Sequence, residues 1–341
     1  AANAVIRNNR VRKEKNLWTD NGQGNKICAY TAEDEYGEAR YVAESILDHV
    51  RGGGRFSQHA ILYRMNAQSN TFENVFVRSG IPYRIIGGLK FYDRKEIKDV
   101  LAYLSVISNP SDSLRLRRII NEPKRGIGDT TVAKAVELAD QLGVSLFEII
   151  SRADEYSALQ RSAAKLMQFA RTMRSLMDDA AELAPHEVLE RTLDRTGYRN
   201  ALNAEVEESA DRVENVNELA SNLIQYENEN PEASLAGFLE EISLMTDIDS
   251  FNADVDTVVL MTMHSAKGLE FPYVYLVGME EGIFPGNQSI YAGEAEMEEE
   301  RRLAYVGITR AKEELILTTA GEPSLFLANL PTTVRRESLT A

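Results

Sequence analysis

Residues 261–278 read MTMHSAKGLEFPYVYLVG, two apolar runs joined by a turn that carries His264, Lys267, Gly268 and Glu270. Both runs have the length and apolar continuity of strands buried on two faces. In an open α/β sheet, ligands gather beyond the carboxyl ends of the strands, and this turn follows the carboxyl end of TVVLMTM, residues 257–263. The expectation is one rigid strand end presenting every polar group of the turn. Gly268 supplies either a φ > 0 or a close approach, Lys267 a point charge, and Glu270 an acceptor for ribose hydroxyls. The plain alternative is a polar loop with a capping-type glycine.

Working outward, the pattern alternates from residue 26: NKICAY as strand, EARYVAESILDHV as helix, HAILYR as strand, NTFENVFVRSG as helix, IPYRIIG as strand. Such alternation predicts a parallel sheet covered by helices. Asp93 with Glu96 reads as a capping-box start for a helix whose apolar face is Ile97, Val100, Leu101 and Leu104. After Asn109-Pro110 the character changes, and residues 111–250 show helical periodicity with almost no strand-like run. Strand signals return at TVVLMTM, FPYVYLVG and ELILTTA, with a helix over EMEEERRLAYVGITR between the last two. One α/β domain interrupted by a helical insert accounts for this, because neither α/β part alone has enough strands for a stable sheet. The predicted boundaries are 1–108 and 253–341 for the two α/β parts and 109–252 for the insert.

The composition, 43% hydrophobic over 341 residues, is that of a globular protein with two or three cores. No apolar run approaches the roughly 20 residues that span a bilayer, and the first residues lack the order of a signal peptide, so a cytoplasmic protein with no membrane partner is expected. A single cysteine, Cys28, excludes an internal disulfide, and four scattered histidines give no zinc spacing, so no metal site is expected within this chain. The chain opens without Met in what reads as the middle of a helix, and a piece of a longer protein is expected. With 53 acidic and 38 basic residues the net charge is −15, which argues against binding nucleic acid by bulk attraction. The segment RLRRIINEPKRGIG runs the other way, with Glu122 its only acid, and marks a candidate DNA-facing side.

Within that segment Gly126 and Gly128 leave backbone N–H groups unshielded at the start of a helix capped by Asp129 or Thr130, an arrangement suited to a phosphate. Lys124 and Arg125 add charge there. The plain alternative is a glycine-containing helical turn. RGGGRFS, residues 51–57, is only a flexible turn: it lacks GK[ST] and is no P-loop. In EMEEERRLAYVGITRAKEELIL, glutamates load the first helical turn, favourable at the positive dipole end, and Arg310 and Lys312 are expected in the last. Any solvated helix shows that gradient. It leaves unexplained the adjacent Arg301 and Arg302 and the small residues of GITRA. An arginine at a helix end beside a sheet edge is also what phosphoryl transfer needs to neutralise developing charge.

Taken together, TMHSAKGLEF (262–271) and EEERRLAYVGITRAKEEL (298–315) resemble the fifth and sixth motifs of superfamily 1 helicases of the UvrD/PcrA/Rep group. AILYRMNAQS (60–69) and IPYRIIGGLKFYDRKEIKDVLAYL (81–104) resemble that group's second motor domain, and the resemblance runs from residue 1 to about 320. It implies an α/β fold in which a RecA-like parallel-sheet domain (2A) is interrupted by an all-helical inserted domain (2B), with KRGIGDTTVAKA as a helix-hairpin-helix-like element. It also implies that Arg310 reaches the γ-phosphate of ATP, that Glu270 binds the ribose with Lys267 and Gly268 on the nucleotide side, and that His264 and Asn66 lie on the single-stranded DNA side. For His264 the alternative is a strand-end histidine satisfied by backbone. For Asn66 it is an N-cap of the following helix.

No GxxxxGK[ST] and no Walker B pair occurs in the chain, so the N-terminal motor half is the expected partner, holding ATP's phosphates and Mg2+. Single-stranded DNA and the single/double-strand junction are the implied substrates, and repair or transcription proteins the further partners. A non-catalytic DNA-binding or partner-docking module is the rival reading. Phe326 is left between a base-stacking role and a tail residue.

Overall fold

The computed structural model describes residues 1–10, 24–204, 209–249, 256–331 and 334–338. The chain divides into two compact units, Ala1–Lys90 with Ile248–Ala341, and Phe91–Asp247.

The first unit is built on a seven-stranded sheet in the order β3-β4-β2-β5-β6-β1-β7. Its strands are β1 Cys28–Thr31, β2 His59–Tyr63, β3 Tyr83–Ile86, β4 Val258–Thr262, β5 Phe271–Leu276, β6 Ala311–Thr319 and β7 Arg335–Ser338. Every pairing is parallel. None of β1, β2 and β3 neighbours another of the three; strands from after residue 256 separate them. The two stretches of this unit are therefore interleaved: β1, β2 and β3 make no pairing among themselves, and of the later strands only β5 and β6 pair with each other.

Side chains alternate between two cores. Ala60, Leu62, Val259, Met261, Val274, Leu276, Leu315 and Leu317 face one core with the helix Glu294–Ile308. Ile61, Tyr63, Val258, Leu260, Tyr275 and Val277 face the other with the helices Glu35–Arg51 and Ser69–Arg78. Burial on both faces is what makes these strands read as continuous apolar runs. Phe326 is fully buried and packs edge-on against Phe284, ring centroids 5.2 Å apart, so it is a core residue and not a surface for stacking a base.

The second unit is helical, with no strand among its described residues. The helix Lys95–Ser108 belongs to it: Ile97, Val100 and Leu104 share one core with Leu116, Ile119, Leu166 and Phe169. That unit begins at Phe91, whereas the sequence reading divided the chain after residue 108. Periodicity identifies an apolar face but not the partner that covers it. The second predicted boundary, 252/253, lies outside the described residues. Asp93 does not cap this helix; it pairs with Lys98 at 2.6 Å, and Arg94 holds the cap position. No helix among the described residues is long and apolar enough to cross a membrane.

Candidate functional site

The segment between β4 and β5 does not stay at one strand end. Thr262 pairs with Tyr63, the last residue of β2, and Met263 N donates to Tyr63 O at 2.9 Å. Tyr273 pairs with His59, the first residue of β2, and Phe271 lies two residues before it. Because both strands run parallel to β2, residues 263–270 must cross the sheet from its carboxyl edge to its amino edge, a height of roughly 20 Å at ~3.3 Å per residue. Met263 and Ala266, both fully buried, fasten this crossover to the core shared by Leu62 and Leu276. Gly268 has φ 87°, with nothing near the position a Cβ would take, so it serves backbone conformation and not close packing. The expectation of one strand end for His264 and Glu270 is corrected: they stand at opposite edges.

At the amino edge the crossover meets the residues that follow the helix Glu294–Ile308. Phe271 N donates to Arg310 O at 2.9 Å, and Arg310 Nη1 donates to Leu269 O at 2.9 Å. Arg310 Nε donates to Val306 O and Nη2 to Thr309 Oγ1, each at 2.9 Å. None of these acceptors is a carboxylate, so among the described residues the guanidinium is positioned without being neutralised. Glu270 is half-exposed and lies 3.6 Å from Lys312 Nζ. Arg310 and Lys312 are not in the last helical turn, as expected from sequence; the helix ends at Ile308, Thr309 caps it, and Lys312 is in β6. GITRA is small because the helix lies directly on β5: a Cβ at Gly307 would come within 2.8 Å of Leu276 Cδ2. The paired arginines are also accounted for. Arg302 binds Glu298 and Glu299 at 3.0 and 2.7 Å, while Arg301 Nη1 donates to Asn9 Oδ1 at 3.3 Å.

At the carboxyl edge Asn66 and His264 come near one another through a third loop. A Cβ at Gly87 would fall 2.6 Å from Ser265 Oγ, and one at Gly88 would fall 3.6 Å from Asn66 Oδ1. The loop after β3 thus fits between the ends of β2 and β4 only because it carries Gly87. Asn66 is half-buried and His264 exposed. Asn66 is not an N-cap: it opens a 3-10 turn, Asn66–Gln68, and Gln68 holds the cap position of the helix Ser69–Arg78. Gln68 Oε1 accepts from Arg64 N and Met65 N at 3.0 and 2.9 Å, and Arg64 grips the largely buried Glu300 through Nε and Nη2. Gly87, Gly88, Ser265 and Gln68 went unassigned in the sequence reading; the GG pair was the available signal.

In the helical unit the turn 124–128 joins the helix Ser113–Ile119 to the helix Asp129–Leu142. Asn121 Oδ1 accepts from Arg125 N and Ile127 N at 2.9 and 3.1 Å, and Ile127 is fully buried, which fixes the turn. Gly126 has φ 69°. The helix is capped by Gly128, with no side-chain bond, and not by Asp129 or Thr130. Nothing lies within 4 Å of the place a Gly128 Cβ would occupy, so the fold itself has no need of glycine there. Lys124 is exposed. Arg125 is not turned to the N–H groups as expected: it donates to Ile119 O, Pro123 O, Tyr103 Oη and Thr196 O, and lies 5.0 Å from the Phe169 ring centre. A cation beside the turn comes instead from Lys165, whose Nζ donates to Gly126 O at 3.1 Å. It is 39 residues away in sequence and carried no local signal.

The family model described as the UvrD-like helicase C-terminal domain matches residues 1–322. The ATP-dependent DNA helicase PcrA of Bacillus subtilis (strain 168) is 46% identical over 334 residues, covering 96% of this chain and 45% of that protein. The PcrA of Staphylococcus aureus (strain MRSA252) is 44% identical over 344 residues, covering 99% and 47%. The chain spans about half the length of the curated relatives it matches. With the match extending over nearly all of its residues, the chain belongs to the UvrD-like helicase C-terminal domain family.

Proposed function

We propose that this chain is the second motor half of an ATP-dependent 3′-to-5′ DNA helicase that moves on single-stranded DNA and opens duplex in repair or replication. The sheet unit is its RecA-like 2A domain and the helical unit its inserted 2B domain. One observation carries the reading: Arg310, whose acceptors among the described residues are all neutral, shares the amino edge with Glu270, and the Asn66, Gly88, Ser265 and His264 group occupies the opposite edge. ATP sits between the amino edge and an N-terminal motor half, with Glu270, Lys267 and Gly268 toward the nucleotide and Arg310 toward its γ-phosphate. Single-stranded DNA runs over Asn66 and His264. The crossover and the helix Glu294–Ile308 link the two, so cleft closure becomes a step along DNA.

Among the described residues no cluster of His, Cys, Asp or Glu side chains is placed to hold a metal ion. The Mg2+ that accompanies ATP is assigned to the N-terminal half, which carries the P-loop that this sequence lacks. Lys124, Gly126 and Gly128 meet duplex phosphate at the junction, while Arg125 braces the turn from inside. Repair or transcription proteins are the partners that direct the enzyme, and the cytoplasm is its compartment.

Mixing the chain with the N-terminal half restores DNA-stimulated ATP hydrolysis, and Arg310→Ala lowers the restored rate by about 10³ or more, the scale for loss of such an arginine. Turnover by the chain alone contradicts the reading. DNA binding by the mixture with no turnover leaves a non-catalytic binding or docking module.

A further inference from the structure

Three N–H groups of Arg310 have acceptors among the described residues: Nε donates to Val306 O, Nη1 to Leu269 O and Nη2 to Thr309 Oγ1, each at 2.9 Å. A guanidinium has five donors. One N–H therefore remains on each terminal nitrogen, the number that a two-point contact with phosphate oxygens uses. Two of the three anchors are backbone carbonyls. Val306 O lies in the last turn of the helix Glu294–Ile308, at the negative end of its dipole, and Leu269 O lies in the crossover. The third anchor is a side chain. Thr309 is half-buried at the end of that helix, and its hydroxyl donates to Val306 O at 2.8 Å. With its one proton committed there, Oγ1 is left to accept the bond from Nη2. The three groups thus close a ring: Nε and Oγ1 both donate to Val306 O, and Nη2 donates to Oγ1.

We propose that Thr309 is a positioning residue for phosphoryl transfer, its hydroxyl fixing the rotation of the Arg310 guanidinium so that the remaining N–H groups meet the γ-phosphate when the cleft closes. This role rests on the assignment of Arg310 to ATP proposed above, whereas the bonding ring does not. A single anchor at Nε leaves the guanidinium free to tip about that bond. A second anchor on the same edge removes the freedom. Valine in place of Thr309 keeps the branched shape and removes the acceptor, so Nη2 loses its partner. Glu270 follows Leu269 directly and lies 3.6 Å from Lys312 Nζ; a guanidinium released from Thr309 has that carboxylate to turn to. An arginine with its counter-charge in its own chain is no longer available to the charge developing on phosphate. Placement before reaction matters on this scale because misplacing a group by about 1 Å costs on the order of 10²-fold in rate.

Two measurements test this. In the chain alone, with its arginines isotopically labelled and the Arg310 signals assigned by their loss in Arg310→Ala, NMR reads rotation of the guanidinium. Rotation is expected to be slow in wild type and in Thr309→Ser and severalfold faster in Thr309→Val. In the motor reconstituted with the N-terminal half, Thr309→Val is expected to lower kcat by about 10- to 100-fold while the KM for ATP stays within about twofold. Thr309→Ser, which keeps the hydroxyl, restores the rate. In an Arg310→Ala background Thr309→Val has no further effect, because Thr309 acts only through that side chain. Thr309→Ala, which removes the hydroxyl without adding a methyl group, repeats the comparison, and denaturant midpoints of every variant separate a weakened helix end from lost turnover. An equal loss in Thr309→Ser, or a further loss in the Arg310→Ala background, makes Thr309 a structural cap and overturns the proposal. An unchanged kcat and unchanged rotation in Thr309→Val, with Arg310→Ala impaired, overturns it and leaves the ATP reading standing. Full activity in Arg310→Ala overturns both.

Discussion

At the carboxyl edge of the sheet the Arg64 guanidinium is paired with the Glu300 carboxylate, whereas at the amino edge the acceptors of Arg310 among the described residues are carbonyl and hydroxyl oxygens. The loops of the first edge are locked by Gly87 against Ser265 and by Gln68 under two backbone amides. The second holds an oriented cation whose counter-charge must come from elsewhere. A surface that follows a long polymer has to keep its shape as the polymer slides, and a surface that meets a transient γ-phosphate has to keep its charge available. The crossover 263–270 and the helix Glu294–Ile308 join the two without merging them.

The largest expected effect breaks the join at its tightest contact. Gly307→Val drives a branched side chain into Leu276, and overpacking of this kind costs about 1–3 kcal/mol. The denaturant midpoint should fall, and the ATPase of the reconstituted motor should fall further than stability explains, because Arg310 hangs from the same helix end. An unchanged midpoint means that the helix does not rest on β5 as described.

The next prediction sharpens the carboxyl edge. Burial raises the Glu38 carboxyl from 4.5 to about 7, against the opposing bonds from Gly278 and Thr318. The folded state therefore holds a proton that the unfolded chain releases near 4.5. Its contribution to stability is complete below that value and is lost as pH rises through about 7. Denaturant midpoints between pH 5 and 8 should drop with rising pH in the wild type and flatten in Glu38→Gln. Parallel pH profiles in the two proteins place the dependence elsewhere.

The smallest effect belongs to the Glu270–Lys312 pair, both side chains 55% exposed. Lys312→Ala should change stability by less than about 0.5 kcal/mol, as exposed pairs do. A larger loss would mean that the amino edge, too, is held together by its own ion pairs.

Local pattern carried much of this arrangement and none of its long-range geometry. Alternation and apolar runs located β1 to β6 and their covering helices, since each strand's two buried faces are written in consecutive residues. RRES at β7 has no apolar face and left no trace; it is recognised only through its pairing with β1. The division of His264 from Glu270 was invisible for a different reason. Six residues can turn back or cross a sheet, and which they do depends on the parallel register of β4 and β5 with β2. Arg125 shows the same limit for charge: KRGIG reads as a basic turn, but Tyr103, Thr196 and Phe169 draw the guanidinium inward. Lys165 replaces it from another helix.

The division between the edges is tested most directly by measuring nucleotide affinity and single-strand affinity separately in the reconstituted motor, for Arg310→Ala and His264→Ala. Arg310→Ala should lower turnover by about 10³ or more while single-strand affinity stays within about twofold, and His264→Ala should reduce DNA stimulation while nucleotide affinity stays within about twofold, a margin of roughly 0.4 kcal/mol. If His264→Ala weakens nucleotide binding as much as it weakens DNA stimulation, the two edges do not serve separate ligands and the account is wrong.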